Sequence, residues 1–375
     1  MKIGITKESK ERENRVAITP VVTEQLVKHG FEVVIEKGAG ENSYFSDEAY
    51  TKAGGKTGSR SEIFSSSDVV LQVNAPSLGD IALMKRDAVL ISLMFALTES
   101  ALVDACAKQG ISSFSMDAIP RISRAQKMDV LSSQSNLAGY KTVLMAANAL
   151  GKIFPLMMTA AGTIKPAKVV IMGAGVAGLQ AIATAKRLGA IVEVSDIRPE
   201  TKEQVESLGG KFIEVKADDS VKMEGGYVKN VSAEFLQKQK EVLFKHITDA
   251  DVVITTALIP GKKAPVLVTE DMVKGMRMGS VIVDMAAGQG GNCELSEKDK
   301  TVVKHGVIII GESNVPGLLP MNASDLYAKN IATFLLHLAT KDGFKWEMEE
   351  EITKGSLITH KGEVVYEALK KVVAV

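Results

Sequence analysis

Residues 168–178, Lys-Val-Val-Ile-Met-Gly-Ala-Gly-Val-Ala-Gly, carry an apolar run straight into a glycine turn at Gly173, Gly175 and Gly178. A helix-like run over 179–188 follows, then a second apolar run over 190–195 that ends at Asp196. That order is what a βαβ unit needs to hold a dinucleotide. Gly173 permits the tight turn, Gly175 lets backbone approach a pyrophosphate, and Gly178 lets helix and strand pack closely. The helix N-terminus turns free N–H groups and a positive dipole end toward phosphates. Asp196 can accept both ribose hydroxyls of an adenosine. A carboxylate there would repel a 2′-phosphate, which favours NAD over NADP. Arg198, two residues on, either meets such a phosphate, pairs with Asp196 or is solvated.

These residues need a scaffold, and the chain is long enough to supply one. Its 375 residues suggest two or three domains. The hydrophobic fraction of 46% and charged fraction of 24% are ordinary for a globular protein. The 45 basic and 45 acidic residues cancel. No charge excess therefore calls for nucleic acid or an anionic membrane surface. Cys106 and Cys293 lie far apart, fit a reducing compartment and suggest no disulfide framework or metal cluster. None of the five histidines falls in a metal-ligand spacing. The N-terminus lacks the apolar stretch of a signal peptide. No apolar run approaches the roughly 18 residues of a membrane span. The chain itself is expected to be soluble, with no direct membrane insertion.

Strand patterns at residues 2–5, 32–35, 69–73, 88–93 and 112–116 alternate with helical patterns such as 19–29 and 99–108. A second series, at 169–172, 191–195, 211–215, 251–255, 280–284 and 307–310, repeats the alternation. Such alternation implies α/β architecture: two doubly wound, Rossmann-like parallel-sheet domains with helices on both faces. A helix over about 135–154 is the natural connector between them. The tail helix over 323–338 is expected to return to the first domain and make it discontinuous. The expected bounds are 1–132 with 313–375, and 133–312, with a cleft between them. Residues 217–230, polar and glycine-paired around Tyr227, interrupt the pattern as either a lid or a plain insertion.

Two segments carry a family resemblance. One is Gly4-Ile-Thr-Lys-Glu8 with Glu13-Asn-Arg15-Val-Ala-Ile-Thr-Pro20; the other runs from Gly173 through Gly189-Ala190 to Asp196. Over nearly the whole chain they resemble the alanine dehydrogenase and nicotinamide nucleotide transhydrogenase superfamily. A third segment, Pro120-Arg121-Ile-Ser-Arg124-Ala-Gln126-Lys-Met-Asp129-Val-Leu-Ser132 on to Gly139, is similar to the nicotinamide-contacting loop of the NAD(H)-binding component of proton-translocating transhydrogenase. The Gly226-Tyr227 region resembles that component's mobile loop, as Thr255-Thr-Ala-Leu258-Ile-Pro-Gly261 resembles another of its segments.

Departures narrow the choice. Alanine dehydrogenases use a lysine and a histidine in the first domain and an aspartate in the second; Asn74, Phe95 and Gly288 stand at those places. Asparagine supplies no ammonium for a carboxylate substrate. Phenylalanine transfers no proton. Thr6 replaces a usual proline. Residues 314–320, Asn-Val-Pro-Gly-Leu-Leu-Pro, differ from the Pro-Ser-Arg pattern expected in many transhydrogenase components.

The resemblance implies direct hydride transfer between NAD(H) on this chain and NADP(H) on a partner subunit. Membrane-spanning subunits would move the protons. Arg121, Gln126, Asp129 and Ser132 would place and gate the nicotinamide. Val176, Asp196, Ile197, Arg198, Gly226, Tyr227, Gln239 and Leu258 would join the three glycines around the rest of the cofactor. The residue chemistry fits: Gln126 offers donor and acceptor to a carboxamide, Ser132 can bond it, and Arg121 can meet pyrophosphate or Asp129. The resemblance also implies a homodimer, cytoplasmic and peripheral to the inner membrane through its partners. An alanine dehydrogenase-type oxidoreductase and a non-catalytic NAD-binding regulator are the alternatives. All three share the fold.

Overall fold

Short runs of Val, Ile and Leu become strands because these side chains pack well on a pleat covered on both faces. The computed structural model describes residues 1–214, 222–224, 227–230, 233–259 and 261–369, with backbone alone at 222–224, 227–230, 233–237 and 239. Two units emerge: residues 1–134 with 316–375, and residues 135–315.

The first unit is built on an eight-stranded sheet. Its order is Glu363–Val364, Leu357–His360, Ser112–Ser115, Val89–Leu93, Val69–Asn74, Lys2–Ile5, Glu32–Glu36 and Lys56–Gly58. The last six run parallel. The first two, contributed by the returning tail, pair antiparallel. Side chains alternate between two cores. Ile3, Ile5, Leu71 and Ile91 face one cluster, which includes Tyr327, Ile331 and Phe334; Val70 and Leu90 face another with Phe64 and Cys106. Each fully buried large aliphatic side chain stabilises by roughly 1.5–3 kcal/mol. The chain moves outward from Lys2–Ile5 through Glu32–Glu36, then resumes on the other side at Val69–Asn74. The sheet thus reverses direction beside its first strand, and ligands bind such sheets at the carboxyl ends of that point.

Helix Pro320–Leu338 packs against this sheet. Proline suits its first turn, where an N–H has no intrahelical partner. Its buried face carries three polar residues at a spacing of three, and each reaches a different segment of the unit. Ser324 Oγ accepts from Val16 N at 3.0 Å, Tyr327 OH donates to Gln72 O at 2.8 Å, and Asn330 Nδ2 donates to Lys127 O at 2.8 Å.

The second unit holds a seven-stranded sheet in the order Lys211–Phe212, Ile191–Ser195, Lys168–Met172, Val252–Thr255, Val281–Asp284, Val307–Ile310 and Thr301–Lys304. Only the Thr301–Lys304 edge is antiparallel among the described strands of this sheet. The reversal falls between Lys168–Met172 and Val252–Thr255. Both units are thus doubly wound α/β, with the wholly parallel expectation corrected at the edges. A short turn is enough to join Thr301–Lys304 to Val307–Ile310 and Glu363–Val364 to Leu357–His360, while Leu357–His360 itself reaches Ser112–Ser115 from the far end of the chain.

Other boundaries shift for local reasons. The connecting helix is Val130–Ala149, beginning before residue 135. Asp129 accepts the Ser132 N–H at 2.9 Å and so caps it. The strand expected over 211–215 extends only over Lys211–Phe212, and Val215 lies outside the described residues. The segment read as a loop at 217–230 contains an antiparallel pair, Lys222–Glu224 with Tyr227–Asn230. No helix among the described residues is long and apolar enough to cross a membrane.

Candidate functional site

In the second unit the three glycines answer three different demands. Gly173 sits at φ +109°, and a Cβ there would lie 2.5 Å from Thr256 Oγ1. Thr256 is held in place by donating that hydroxyl to Met172 O at 3.1 Å. A Cβ on Gly178 would lie 1.9 Å from Gly173 O, so only glycine lets the turn close on its helix. Gly175 is different: no protein atom lies within 4 Å of where its Cβ would stand. Nothing in this chain's own packing demands glycine there. The cradle a side chain would fill lies at the N-terminus of the 12-residue helix Val176–Arg187, which has no side-chain cap. These features fit a pyrophosphate seated on backbone N–H groups. Val176 opens the helix 40% exposed. Gly139, on the connecting helix, lets that helix touch this one: its Cβ would lie 2.1 Å from Ala177 O.

Asp196 follows strand Ile191–Ser195. Its Oδ2 accepts from Ala174 N at 2.7 Å, tying the strand tip to the glycine turn. Its Oδ1 accepts from Arg198 N at 2.8 Å and Arg198 Nε at 2.9 Å, and Arg198 Nη2 reaches Oδ2 at 2.9 Å. Burial pushes the carboxyl up, but the bonds from Arg198 and Ala174 and the guanidinium charge outweigh it. The pKa lies below the usual aspartate value. Of the three sequence readings for Arg198, the structure selects the pair with Asp196. Ile197 lies between the two partners, half-buried.

Leu258 is 40% exposed, which excludes a core role for it. Its segment is positioned by Asn292, a residue sequence reasoning missed. Fully buried, Asn292 accepts from Ala257 N at 3.1 Å and donates to Ala257 O at 2.9 Å and Pro265 O at 2.8 Å. One amide side chain thus pairs with both backbone groups of Ala257, as a neighbouring strand would. Neighbouring Asp284, also buried, accepts from Thr255 Oγ1, Ala286 N and Cys293 N. Gly226 and Pro260 lie outside the described residues, as do the side chains of Tyr227 and Gln239; Gln239 itself falls on helix Ala233–Thr248.

In the first unit, Arg121 and Gln126 are exposed, and Ala125 and Met128 are buried beneath them as anchors. Gln126 lies on the short 3₁₀ helix Ser123–Met128. Asp129 and Ser132 meet directly: Ser132 Oγ donates to Asp129 Oδ2 at 2.6 Å. The spacing of cap and third helical residue could have shown this pairing in the sequence. Asn330 brackets the same stretch, donating to Lys127 O and accepting from Ser133 Oγ at 2.7 Å.

Beside the first unit's reversal point, Asn74 Nδ2 donates both to Glu8 Oε2 at 3.2 Å and to Glu13 Oε2 at 2.9 Å. Arg15 holds Glu13 through Nε and Nη2, each at 2.7 Å, and reaches Gln134 Oε1 at 2.9 Å. The two carboxyls separate. Burial raises Glu13, but Arg15 and Asn74 outweigh it and hold it below the usual range. Burial and the Glu13 charge push Glu8 up to about 7 despite bonds from Val73 N and Asn74. Phe95, 43% exposed, stands at φ +47°, with its own N–H and that of Met94 given to Asp117 Oδ1. Among the described residues no group of His, Cys, Asp and Glu is arranged to hold a metal ion.

Comparison with known proteins fits this geometry. The family model described as alanine dehydrogenase/PNT, N-terminal domain, matches residues 4–138, and its C-terminal counterpart matches 142–367. The chain is 50% identical over 379 residues to the first part of the NAD(P) transhydrogenase subunit alpha of Rhodospirillum rubrum, covering 98% of this chain and 99% of that one. Identity to the alanine dehydrogenase of Bacillus subtilis (strain 168) is 30% over 379 residues, covering 99% and 94%. A solved transhydrogenase from Sinorhizobium meliloti superposes with a TM-score of 0.89 at 45% identity, over 97% of this chain and all of that one. A solved L-alanine dehydrogenase gives 0.85 at 28%, over 100% and 99%.

Proposed function

The chain belongs to the alanine dehydrogenase/PNT family, and on that premise we propose that it is the NAD(H)-binding subunit of a proton-translocating nicotinamide nucleotide transhydrogenase. Hydride passes directly between the nicotinamide of NAD(H) on this chain and that of NADP(H) on a partner subunit. Membrane-spanning partner subunits move the protons, and this chain sits at the cytoplasmic face of the inner membrane through them.

The observation that carries the reading is the network at Asn74. An alanine dehydrogenase must bind a carboxylate and move a proton as well as a hydride. Here the amide of Asn74 is shared by two carboxyls, Arg15 is engaged by Glu13 and Gln134, and Phe95 offers no ionisable group. Transfer between two nicotinamides needs no acid or base, only proximity, orientation and exclusion of water.

The residues divide the work. Gly173, Gly175, Gly178 and the backbone of Val176 take the pyrophosphate. Asp196 takes the adenosine ribose with Ile197 beside it, and the Arg198 side chain, paired with the same carboxylate in the free chain, gives way to it. Arg121, Gln126, Asp129 and Ser132 place the nicotinamide, and Leu258, Gly226, Tyr227 and Gln239 complete the contacts. NAD(H) supplies the hydride-carrying ring. A homodimer is supported by the antiparallel hairpin Met157–Thr159 with Gly162–Ile164, which leaves Leu156, Met157, Met158 and Ile164 exposed.

The test is hydride transfer from NADPH to a spectrally distinct NAD analogue, measured on the purified chain alone and with the soluble NADP(H)-binding component of a transhydrogenase. Transfer only in the mixture is expected. Its absence beside a competent partner, with NADH still bound, would overturn the reading. Alanine-dependent NADH formation by the chain alone would replace it with a dehydrogenase.

A further inference from the structure

We propose that Asn330 is the positioning residue for the stretch that carries Gln126, Asp129 and Ser132; its role in hydride transfer rests on the reading above. Asparagine is a poor choice inside a 19-residue helix, because its side chain competes with the backbone and its helix propensity is low. Asn330 nonetheless occupies the middle of Pro320–Leu338 at 9% exposure. Neither end of its amide serves its own helix. Nδ2 donates to Lys127 O at 2.8 Å, and Oδ1 accepts from Ser133 Oγ at 2.7 Å.

These two contacts fall on either side of residues 128–132. On one side is the last turn of Ser123–Met128; on the other is the first turn of Val130–Ala149. Between them Asp129 caps the helix and takes both the N–H and the hydroxyl of Ser132. Buried Met128 fixes the stretch from below. Without the bracket, Lys127 O and Ser133 Oγ lose their shared anchor, Ser133 Oγ keeps only its bond to Val130 O, and the Asp129–Ser132 turn is held less tightly. A small displacement of a positioning group costs orders of magnitude in a reaction that depends on near-attack geometry. Both bonds of the Asn330 side chain stay within the first unit, while the pyrophosphate and ribose residues belong to the second, so cofactor affinity and transfer rate should separate.

The experiment compares wild type with Asn330→Leu, which loses both bonds, and Asn330→Asp, which keeps only an acceptor. Three quantities are read: NADH Kd on the chain alone, kcat of transfer with the soluble NADP(H)-binding component, and hydrogen exchange of the amides at 127–133. The expected result is a loss in kcat of roughly 10- to 100-fold, NADH Kd within about threefold of wild type, and faster exchange confined to that stretch. Asn330→Asp, which keeps the acceptor for Ser133 Oγ but sets a carboxylate oxygen against Lys127 O, should lose at least as much as Asn330→Leu. Unchanged exchange, or a kcat within twofold of wild type in both variants, would overturn the assignment. So would a loss of kcat that merely tracks a loss of NADH affinity or a lowered Tm. If wild type itself fails to transfer beside a competent partner, the functional reading falls. The exchange measurement then still decides whether Asn330 holds the stretch.

Discussion

Asp196 and Arg198 form a two-pronged ion pair at the tip of Ile191–Ser195, with Nε and Nη2 of the arginine on separate carboxylate oxygens at 2.9 Å. The Ala174 and Arg198 amides take the remaining positions. A carboxylate has about four lone-pair sites, and all four are in use. A ribose diol must therefore displace the guanidinium. Arg198→Ala should raise NADH affinity, by at most about fivefold, since a partly exposed ion pair contributes less than about 1 kcal/mol. Asp196→Asn should weaken NADH at least tenfold, because a bond to a charged acceptor is worth about 1.5–3 kcal/mol. Fluorescence titration with NADH checks both. Weaker binding by Arg198→Ala would show the arginine to be a cofactor ligand instead of a competitor.

Asn292 holds both ends of the segment that presents Leu258. Replacing it with alanine takes this partner from the Ala257 amide, the Ala257 carbonyl and the Pro265 carbonyl, each costing about 1–3 kcal/mol if it stays dry and unpaired. Asn292→Ala should lower Tm and weaken NADH several-fold, and Asn292→Asp, which keeps the acceptor for Ala257 N but sets a buried carboxylate oxygen against the Ala257 and Pro265 carbonyls, should lose at least as much. Calorimetry and NADH titration on the same samples decide it. A variant with wild-type Tm and affinity would mean the segment is held by something else.

The parts of the site that were legible in the sequence are those whose partners are local. Gly173, Gly175, Gly178 and Asp196 lie within one βαβ unit, so their order alone fixed their places. The Asn74 and Phe95 substitutions were also legible, but only as missing chemistry; that Asn74 links Glu8 to Glu13 was not. Asn292 bonds residues 27 and 35 positions away, and Asn330 bonds residues 197 and 203 away. No periodicity reports a contact of that span. The antiparallel edges escaped for a similar reason: Leu357–His360 joins Ser112–Ser115 from the far end of the chain, and short edge strands have little pattern of their own.

Cys106 and Cys293 are both buried. Burial pushes their thiols up to about 12 and about 11. The thiolate is the reactive form, so neither should react with a chromogenic disulfide at pH 8 in the folded chain, and both should react after denaturation. Two thiols released rapidly under native conditions would contradict the buried placement.

Glu8 makes the stability of the first unit depend on pH in an unusual direction. Its folded pKa of about 7 lies above the ordinary 4.5, because burial and Glu13 oppose its charge. The folded chain therefore holds that proton more tightly than the unfolded chain does. The stabilisation is whole below about pH 4.5 and is lost as pH rises through about 7. Its ceiling is about 3 kcal/mol, reduced by solvent screening of a half-buried group. Other carboxylates act oppositely: Glu13 and Asp196, with lowered pKa values, lose their contribution as pH falls below the ordinary carboxylate range. The comparison that isolates Glu8 is therefore wild type against Glu8→Gln across pH 5 to 8. The Tm advantage of wild type should shrink as pH rises, because only wild type must deprotonate a carboxyl against Glu13. A gap that stays constant across that range would show that Glu8 is ionised throughout, with Asn74 and the Val73 amide supplying enough hydrogen bonding to keep it charged.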